Sequence, residues 1–136
     1  MIDHRKINLL FLIYRKKFKQ FNEEISTMLV PYKITMQHAV YIMALDTYGD
    51  MTIKDLNASV DNDGAITTRV IKTLKKHGYV EKLGSRIKKY KVALTSEGKK
   101  ISKKIIEAMN MARKIYFKNL TQNEILLLAD IAEKLS

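Results

Sequence analysis

Residues 64–92 carry nine cations (Arg69, Lys72, Lys75, Lys76, Lys82, Arg86, Lys88, Lys89 and Lys91) against the single anion Glu81. That is +8 of a chain total of +11, held in about a fifth of the length. The chemistry these residues support is recognition of a polyanion. Lysine brings a point charge to a phosphate, and arginine brings a planar fork that matches a phosphate or the O6 and N7 edge of guanine. Catalytic groups do not gather beside them. His4, His38 and His77 lie far apart in sequence, and none has a second histidine or a carboxylate at metal-ligand spacing. His38 reads as a capping or core residue, and His77, next to Gly78, suits a helix C-terminus. Asp61 and Asp63 flank a turn and read as turn formers. No glycine-rich phosphate loop occurs, so no enzyme, metal or cofactor is expected.

The elements that must position these cations follow from periodicity and capping signals. A first helix is expected over 3–28, with Ile7, Leu10, Phe11, Tyr14, Phe18, Phe21 and Ile25 spaced at threes and fours until Pro31 ends it. A second starts near Thr35 and runs toward the Tyr48-Gly49-Asp50 turn. Thr52 with Asp55 forms a capping box for a short third helix that stops near Val60, with Met51 stapled onto Leu56. Asn62 or Asp63 caps a fourth helix over 65–77, and Gly78 supplies its left-handed stop. Two strands, 79–83 and 88–94, flank Gly84-Ser85. In the second, Tyr90, Val92 and Leu94 alternate with Lys89, Lys91 and Ala93, giving an apolar face and a basic one. Thr95-Ser96-Glu97 opens a long fifth helix to about Lys118. Thr121 with Glu124, stapled by Leu120 and Ile125, opens a last helix to Leu135. The expected order is ααααββαα, mainly α with a small β-ribbon wing, and the basic cluster falls on the fourth helix and the ribbon.

Composition narrows the classes. At 136 residues the chain is one domain by size, able to build a core without disulfides or metal. With 46% hydrophobic and 29% charged residues it is globular, and the absence of cysteine closes thiol nucleophilic and thiol redox chemistry. The longest strongly apolar run, 7–14, is interrupted by Asn8 and is shorter than the roughly 20 residues a bilayer requires. No small-residue cleavage site follows it, so a cytoplasmic location is expected. The net charge leaves nucleic acid and an acidic membrane surface both open as anionic partners.

Order and turn chemistry together resemble the MarR family of winged helix-turn-helix regulators. The likeness is tightest over 52–80, where "TIKDLNASVDNDGAITTRVIKTLKKHGYV" fits, without a gap, the pattern T-hydrophobic-x-[DE]-L, turn, arginine-bearing helix, L-x-[KR]-x-G-hydrophobic-V. "LTSEG" at 94–98 matches the L-T-x-x-G that closes the wing and opens the next long helix. About a third of the chain carries motif-level similarity, while length and element order agree over nearly all of it. Two departures stand out. The family's wing often carries Asp-x-Arg, whereas here "LGSRIKKYK" has no acid two residues before Arg86. Thr67 also occupies a position where an apolar core residue is usual.

The resemblance implies a single MarR-like domain over 1–136, with residues 34–94 as the DNA-binding lobe and 1–30 and 95–136 as dimerisation helices. Ile66, Val70, Ile71 and Leu74 are expected to form the buried stripe of the recognition helix. Ala65, Thr68, Arg69 and Lys72 then face outward, Thr67 stands at the edge of the contact set, and Lys76 reaches a phosphate. A bidentate Arg69–guanine pair is worth about 1–3 kcal/mol of discrimination. The competing reading for Arg69 is a pair with an acid of the third helix, and for Lys75 and Lys76 a purely helix-dipole role. Arg86, Lys88 and Lys89 at the ribbon tip are expected on the flanking backbone or in the minor groove.

The cluster Tyr14-Arg15-Lys16-Lys17-Phe18-Lys19 reads as the wet face of a packed helix, with a membrane-surface role as the weaker alternative. Phe11, Phe18 and Phe21 at one end, and Ile115, Tyr116, Leu126, Leu127, Ile131 and Leu135 at the other, exceed what so small a lobe can cover. They point to a homodimer on a roughly palindromic DNA site, with half-sites about one helical turn apart. The resemblance adds a small, often aromatic effector, for which Phe11, Tyr14, Tyr41, Met109 and Met111 are candidate lining residues, although such residues at helical spacing also suit a core. The expectation is a sequence-specific transcriptional repressor, with double-stranded DNA as partner. Replication or partition of a mobile element, and a protein-interaction module with a basic face, are the rival functions.

Overall fold

Thr52, Asp63, Thr95 and Thr121 each stand before a run of apolar residues at helical spacing, and each marks a helix start in the computed structural model. The structure describes residues 1–84 and 90–135. The elements are α1 (His4–Met28), a 3-10 turn (Val30–Tyr32), α2 (Met36–Tyr48), β1 (Met51–Thr52), α3 (Ile53–Val60), α4 (Gly64–Lys76), β2 (Val80–Leu83), β3 (Lys91–Leu94), α5 (Ser96–Tyr116) and α6 (Gln122–Leu135). The architecture is mainly α with a small antiparallel sheet in the order β1-β3-β2.

Caps explain most of the boundaries. The Asp3 carboxylate accepts from the Arg5 amide at the start of α1, and the Thr52 hydroxyl accepts from Asp55 at the start of α3. Thr121 and Glu124 exchange both bonds of a capping box, Thr121 N to Glu124 Oε1 at 2.9 Å and Glu124 N to Thr121 Oγ1 at 3.2 Å. At the start of α2, His38 takes the place a glutamate would fill. Its Nδ1 accepts from the Thr35 amide at 3.0 Å, so it is a cap. Ser26 of α1 reaches across to accept from the Met36 amide at 2.9 Å, which ties the end of α1 to the first residue of α2.

β1 is an addition to the expected order. Met51 pairs with Val92 and Thr52 with Lys91, so the residues before α3 close the sheet on the edge opposite β2. Two residues are too few to show a period of two, which is why the strand is invisible in sequence. The apolar and basic faces of β3 are also less cleanly divided than the alternation suggests. Val92 and Ala93 are both buried, because the strand is central in the sheet.

The core sits at one end of the molecule. Ile25, Leu29, Tyr41, Ile42, Leu56, Val70, Leu74, Val92 and Ile105 are fully enclosed, drawn from the end of α1, from α2, α3 and α4, from the sheet and from α5. Of the expected α1 stripe, Ile25 is buried and Phe21 half-buried, with its ring edge-on to Tyr116 at 6.1 Å. Leu10, Phe11, Tyr14 and Phe18 are exposed, and no described residue of α6 is buried. Among the described residues no helix is long and apolar enough to cross a membrane.

Candidate nucleic-acid interface

α4 begins where Asp61 enters the left-handed region at φ 54° and Asp63 turns its carboxylate onto the Ile66 amide at 2.8 Å. Asp63 is therefore the cap, and Asn62 has other work. The helix then buries Thr67, Val70, Ile71 and Leu74, the i, i+3, i+4, i+7 spacing of a single inward stripe. Ala65, Thr68, Arg69, Lys72 and Lys76 are exposed on the opposite side. This is the outward set read from the sequence, with one correction.

Thr67 is 0% exposed, so it is not a surface contact, and Ile66 beside it is half-buried. Its hydroxyl explains why that position tolerates a polar residue. It donates to Asn57 Oδ1 of α3 at 2.5 Å and lies 3.0 Å from the Tyr41 hydroxyl of α2. Asn62 Nδ2 donates to the same Tyr41 oxygen at 2.9 Å. Asn57, Asn62 and Tyr41 are not legible as a group in sequence. The available signal is a tyrosine inside an apolar helix, whose hydroxyl must find a partner when buried.

On the outer face, Thr68 donates back to the Gly64 carbonyl at 2.9 Å, leaving its oxygen lone pair and methyl outward. Among the described residues no carboxylate pairs with Arg69, Lys72, Lys75 or Lys76, and the ion pairs Lys100–Glu97 and Lys104–Glu107 lie on α5. The alternative of an Arg69 pair with an acid of α3 is thus not realised. The C-terminus of α4 closes at His77, followed by Gly78 at φ 79°.

The ribbon leaves α4 directly. Val80 pairs with Leu94 and Leu83 with Lys91, and Gly84 turns the chain at φ 105°. Lys82 Nζ lies 4.2 Å from the centre of the Tyr90 ring, bracing the base of the wing. Arg86, Lys88 and Lys89, expected at the tip, lie outside the described residues. At the other end of β3, the Thr95 hydroxyl donates to the Gly78 carbonyl and accepts from the Gly98 amide at 3.0 Å. The Tyr79 carbonyl accepts from the Thr95 amide at 3.1 Å, and a Cβ on Gly98 would sit 2.0 Å from that same oxygen. The threonine and glycine of "LTSEG" thus fasten α5 to the end of α4.

A sequence model of the MarR family matches residues 34–86, the span from Ile34 through α4 into the ribbon. Residues 34–86 thus carry a MarR-family domain. Solved MarR structures share its fold across nearly the whole length. A MarR family protein from Bacillus stearothermophilus, 19% identical, superposes with a TM-score of 0.80 over 99% of this chain and 96% of that one. A MarR transcriptional regulator from Methanosarcina mazei Go1 gives 0.81 at 20% identity, over 94% and 93%. A mutant MarR from E. coli, complexed with operator DNA, gives 0.79 at 22% identity, over 98% and 99%. No curated protein sequence matches the chain. At these identities the likeness to MarR structures is one of fold.

The effector residues suggested by sequence do not line one cavity together. Tyr41 is fully enclosed in the polar cluster, while Phe11 and Met111 are exposed. A cavity of about 300 Å³ does open between α1 and α5, lined by Tyr14, Lys17, Phe18, Phe21, Tyr116 and Phe117. Tyr14 is the member of the suggested set that lines it. Among the described residues no group of three His, Cys, Asp or Glu side chains is placed to hold a metal ion.

Proposed function

We infer that the chain is a sequence-specific DNA-binding transcriptional regulator acting as a repressor, a homodimer on a pseudo-palindromic operator. The observation that carries this reading is the outer face of α4. Ala65, Thr68, Arg69, Lys72 and Lys76 are exposed on one side of a capped helix, with no carboxylate to neutralise them among the described residues. A helix of this kind enters the major groove with its N-terminal turns on base edges and its flanks on phosphates. Arg69 then reads a guanine, Ala65 meets a thymine methyl, and Thr68 contacts a base or phosphate. Lys72 and Lys76 hold the backbone. The ribbon follows at once, so Arg86, Lys88 and Lys89 are proposed on the adjoining phosphates or minor groove. The E. coli MarR mutant solved with operator DNA supports this reading by its shared fold.

Homodimerisation rests on α1 and α6. Residues 9–14 are apolar without a break and exposed on every side of the helix, from Ile13 at 48% to Leu12 at 69%. A helix that is apolar all round belongs in an interior. α6 adds Leu126, Leu127, Leu128 and Ile131, also exposed. A second copy supplies the cover, and with it the second recognition helix of a two-fold site. An effector is part of the reading too: the DNA binding of Bordetella bronchiseptica BpsR, another structure of this fold, is regulated by 6-hydroxynicotinic acid. The aromatic cavity between α1 and α5 is the place proposed for such a ligand, and a cytoplasmic location follows from the function.

The test is binding to a fluorescent duplex from the chain's own upstream region and to a scrambled duplex, across a salt series. A preference of about a thousandfold, falling steeply with salt, is expected for a specific regulator. Equal weak binding to both, together with no enrichment in a genome-wide map of bound sites, overturns the reading.

A further inference from the structure

The polar cluster behind α4 has a single consistent arrangement of protons. The Thr67 hydroxyl gives its one proton to Asn57 Oδ1, so at the 3.0 Å contact with Tyr41 it accepts, and Tyr41 donates. Tyr41 in turn accepts from Asn62 Nδ2. The bonds run head to tail from Asn62 through Tyr41 and Thr67 to Asn57. They touch the α3–α4 turn, α2, α4 and α3 in order. Such a chain polarises cooperatively, and it is directional where apolar contacts are not.

We propose that this chain, centred on Thr67 and Tyr41, sets the rotation of α4 about its axis and is thereby a specificity determinant for DNA that itself never touches DNA. The inference rests on the DNA-binding reading given above. Val70, Ile71 and Leu74 hold α4 on the core, but side chains that merely fill space tolerate a small turn of the helix. Thr67 precedes Thr68 and Arg69 directly, and neighbouring residues are set about 100° apart around the axis. Whatever fixes Thr67 therefore fixes the outward pair. At roughly 5 Å from the axis, a turn of about 20° displaces an atom by roughly 2 Å, enough to lose a hydrogen bond to a base edge. Phosphate contacts from flexible lysines tolerate the same turn. Sequence discrimination is thus sensitive to the chain, and non-specific affinity is not.

Thr67→Val, which keeps the shape and removes the hydroxyl, and Tyr41→Phe are compared with Thr67→Ser, which keeps the hydroxyl. Wild type and variants each select from a duplex pool randomised over about 30 base pairs, a length that spans two half-sites. Each protein's affinity is then measured for the duplex the wild type selects and for the unselected pool. In Thr67→Val and Tyr41→Phe the ratio of the two affinities falls by about tenfold or more, within the range of one lost base contact. Pool affinity and salt slope stay unchanged, and Thr67→Ser retains the wild-type ratio. A purely structural role lowers the melting temperature but leaves the ratio intact wherever the protein is folded, and that result overturns the inference. If Tyr41→Phe does not fold, Asn62→Ala removes only the half-buried head of the chain, and an unchanged ratio there is equally fatal. A wild type that enriches no sequence sinks the regulator reading and this inference together; wild-type enrichment matched by Thr67→Val sinks this inference alone.

Discussion

The core lobe, built from α2 to β3 with the end of α1 and the buried face of α5, and the outer turns of α1 and α6 use similar apolar residues to opposite ends. In the lobe, Tyr41, Ile42, Leu56, Val70, Leu74 and Val92 are enclosed, and the buried hydroxyls are bonded. In α1, Leu9, Leu10, Phe11, Leu12, Ile13 and Tyr14 are more than two-fifths exposed, as are Leu126, Leu127, Leu128 and Ile131 of α6. The first region is complete in one copy of the chain. The second is regular helix whose apolar side chains stay exposed among the described residues. Local helix formation and core formation are thus separate achievements, and only the lobe has both within one chain.

The sharpest way to break the contrast is a charge in the second region. Leu12→Asp places a carboxylate where the proposed partner covers α1, and an unpaired buried charge costs about 4 kcal/mol. Sedimentation is expected to show monomer in place of dimer, while the near-ultraviolet signal of the lobe persists. If the variant sediments like wild type, residues 9–14 are not the interface.

Next is Gly98→Ala, which acts on the first region. Its new methyl meets the Tyr79 carbonyl, backbone that cannot swing aside, and about 3 kcal/mol of stability is expected to be lost. A thermal melt reads it, and an unshifted midpoint contradicts the close approach of α5 to the end of α4. The pair of variants separates assembly from lobe stability.

Arg69→Ala is smaller and leaves both regions folded. Loss of about 2 kcal/mol in binding to a selected duplex is expected if Arg69 reads a base, with little change toward random DNA. A uniform loss toward all duplexes, with a reduced salt slope, reassigns Arg69 to phosphate.

The smallest effect is a pH dependence at the seam of α1 and α2. Burial first, and the charge of His77 second, hold the His38 imidazole below its ordinary value of 6.5. Its neutral Nδ1 is also what accepts from the Thr35 amide. The unfolded chain therefore binds the proton more readily than the folded one, so stability rises with pH in this window. The contribution is present above 6.5 and is lost as pH falls through that value toward the lower folded one. His38→Gln keeps a side-chain acceptor for the cap and removes the titration. Melts across the window should converge for this variant, and an unchanged slope assigns the dependence to other groups.

The residues legible in sequence are those whose role is local. Thr52, Asp63, Thr95 and the Thr121–Glu124 box mark helix starts because a cap needs only its own next turn. Gly78 marks the end of α4 for the same reason. The outward face of α4 follows from spacing, but polarity alone misplaces Thr67, whose partners lie 10 and 26 residues away. Nothing local announces Asn57 as the acceptor, or that Asn62 serves Tyr41 while its neighbour caps the helix. Tyr41, grouped in sequence with effector-lining aromatics, belongs to that same cluster. β1 is hidden by its length, and Met51, expected to staple α3, is one of its two residues.

The all-round apolar stretch of α1 has a consequence for gene dosage. If those turns are enclosed only by a second copy, their burial and assembly become one equilibrium, and the chain's abundance sets how much of the paired form exists. Below the pairing constant, the paired form falls with the square of the chain's concentration rather than in proportion to it. A modest drop in synthesis then lowers the paired form more than in proportion, and the leftover single copies offer their greasy helix to proteases.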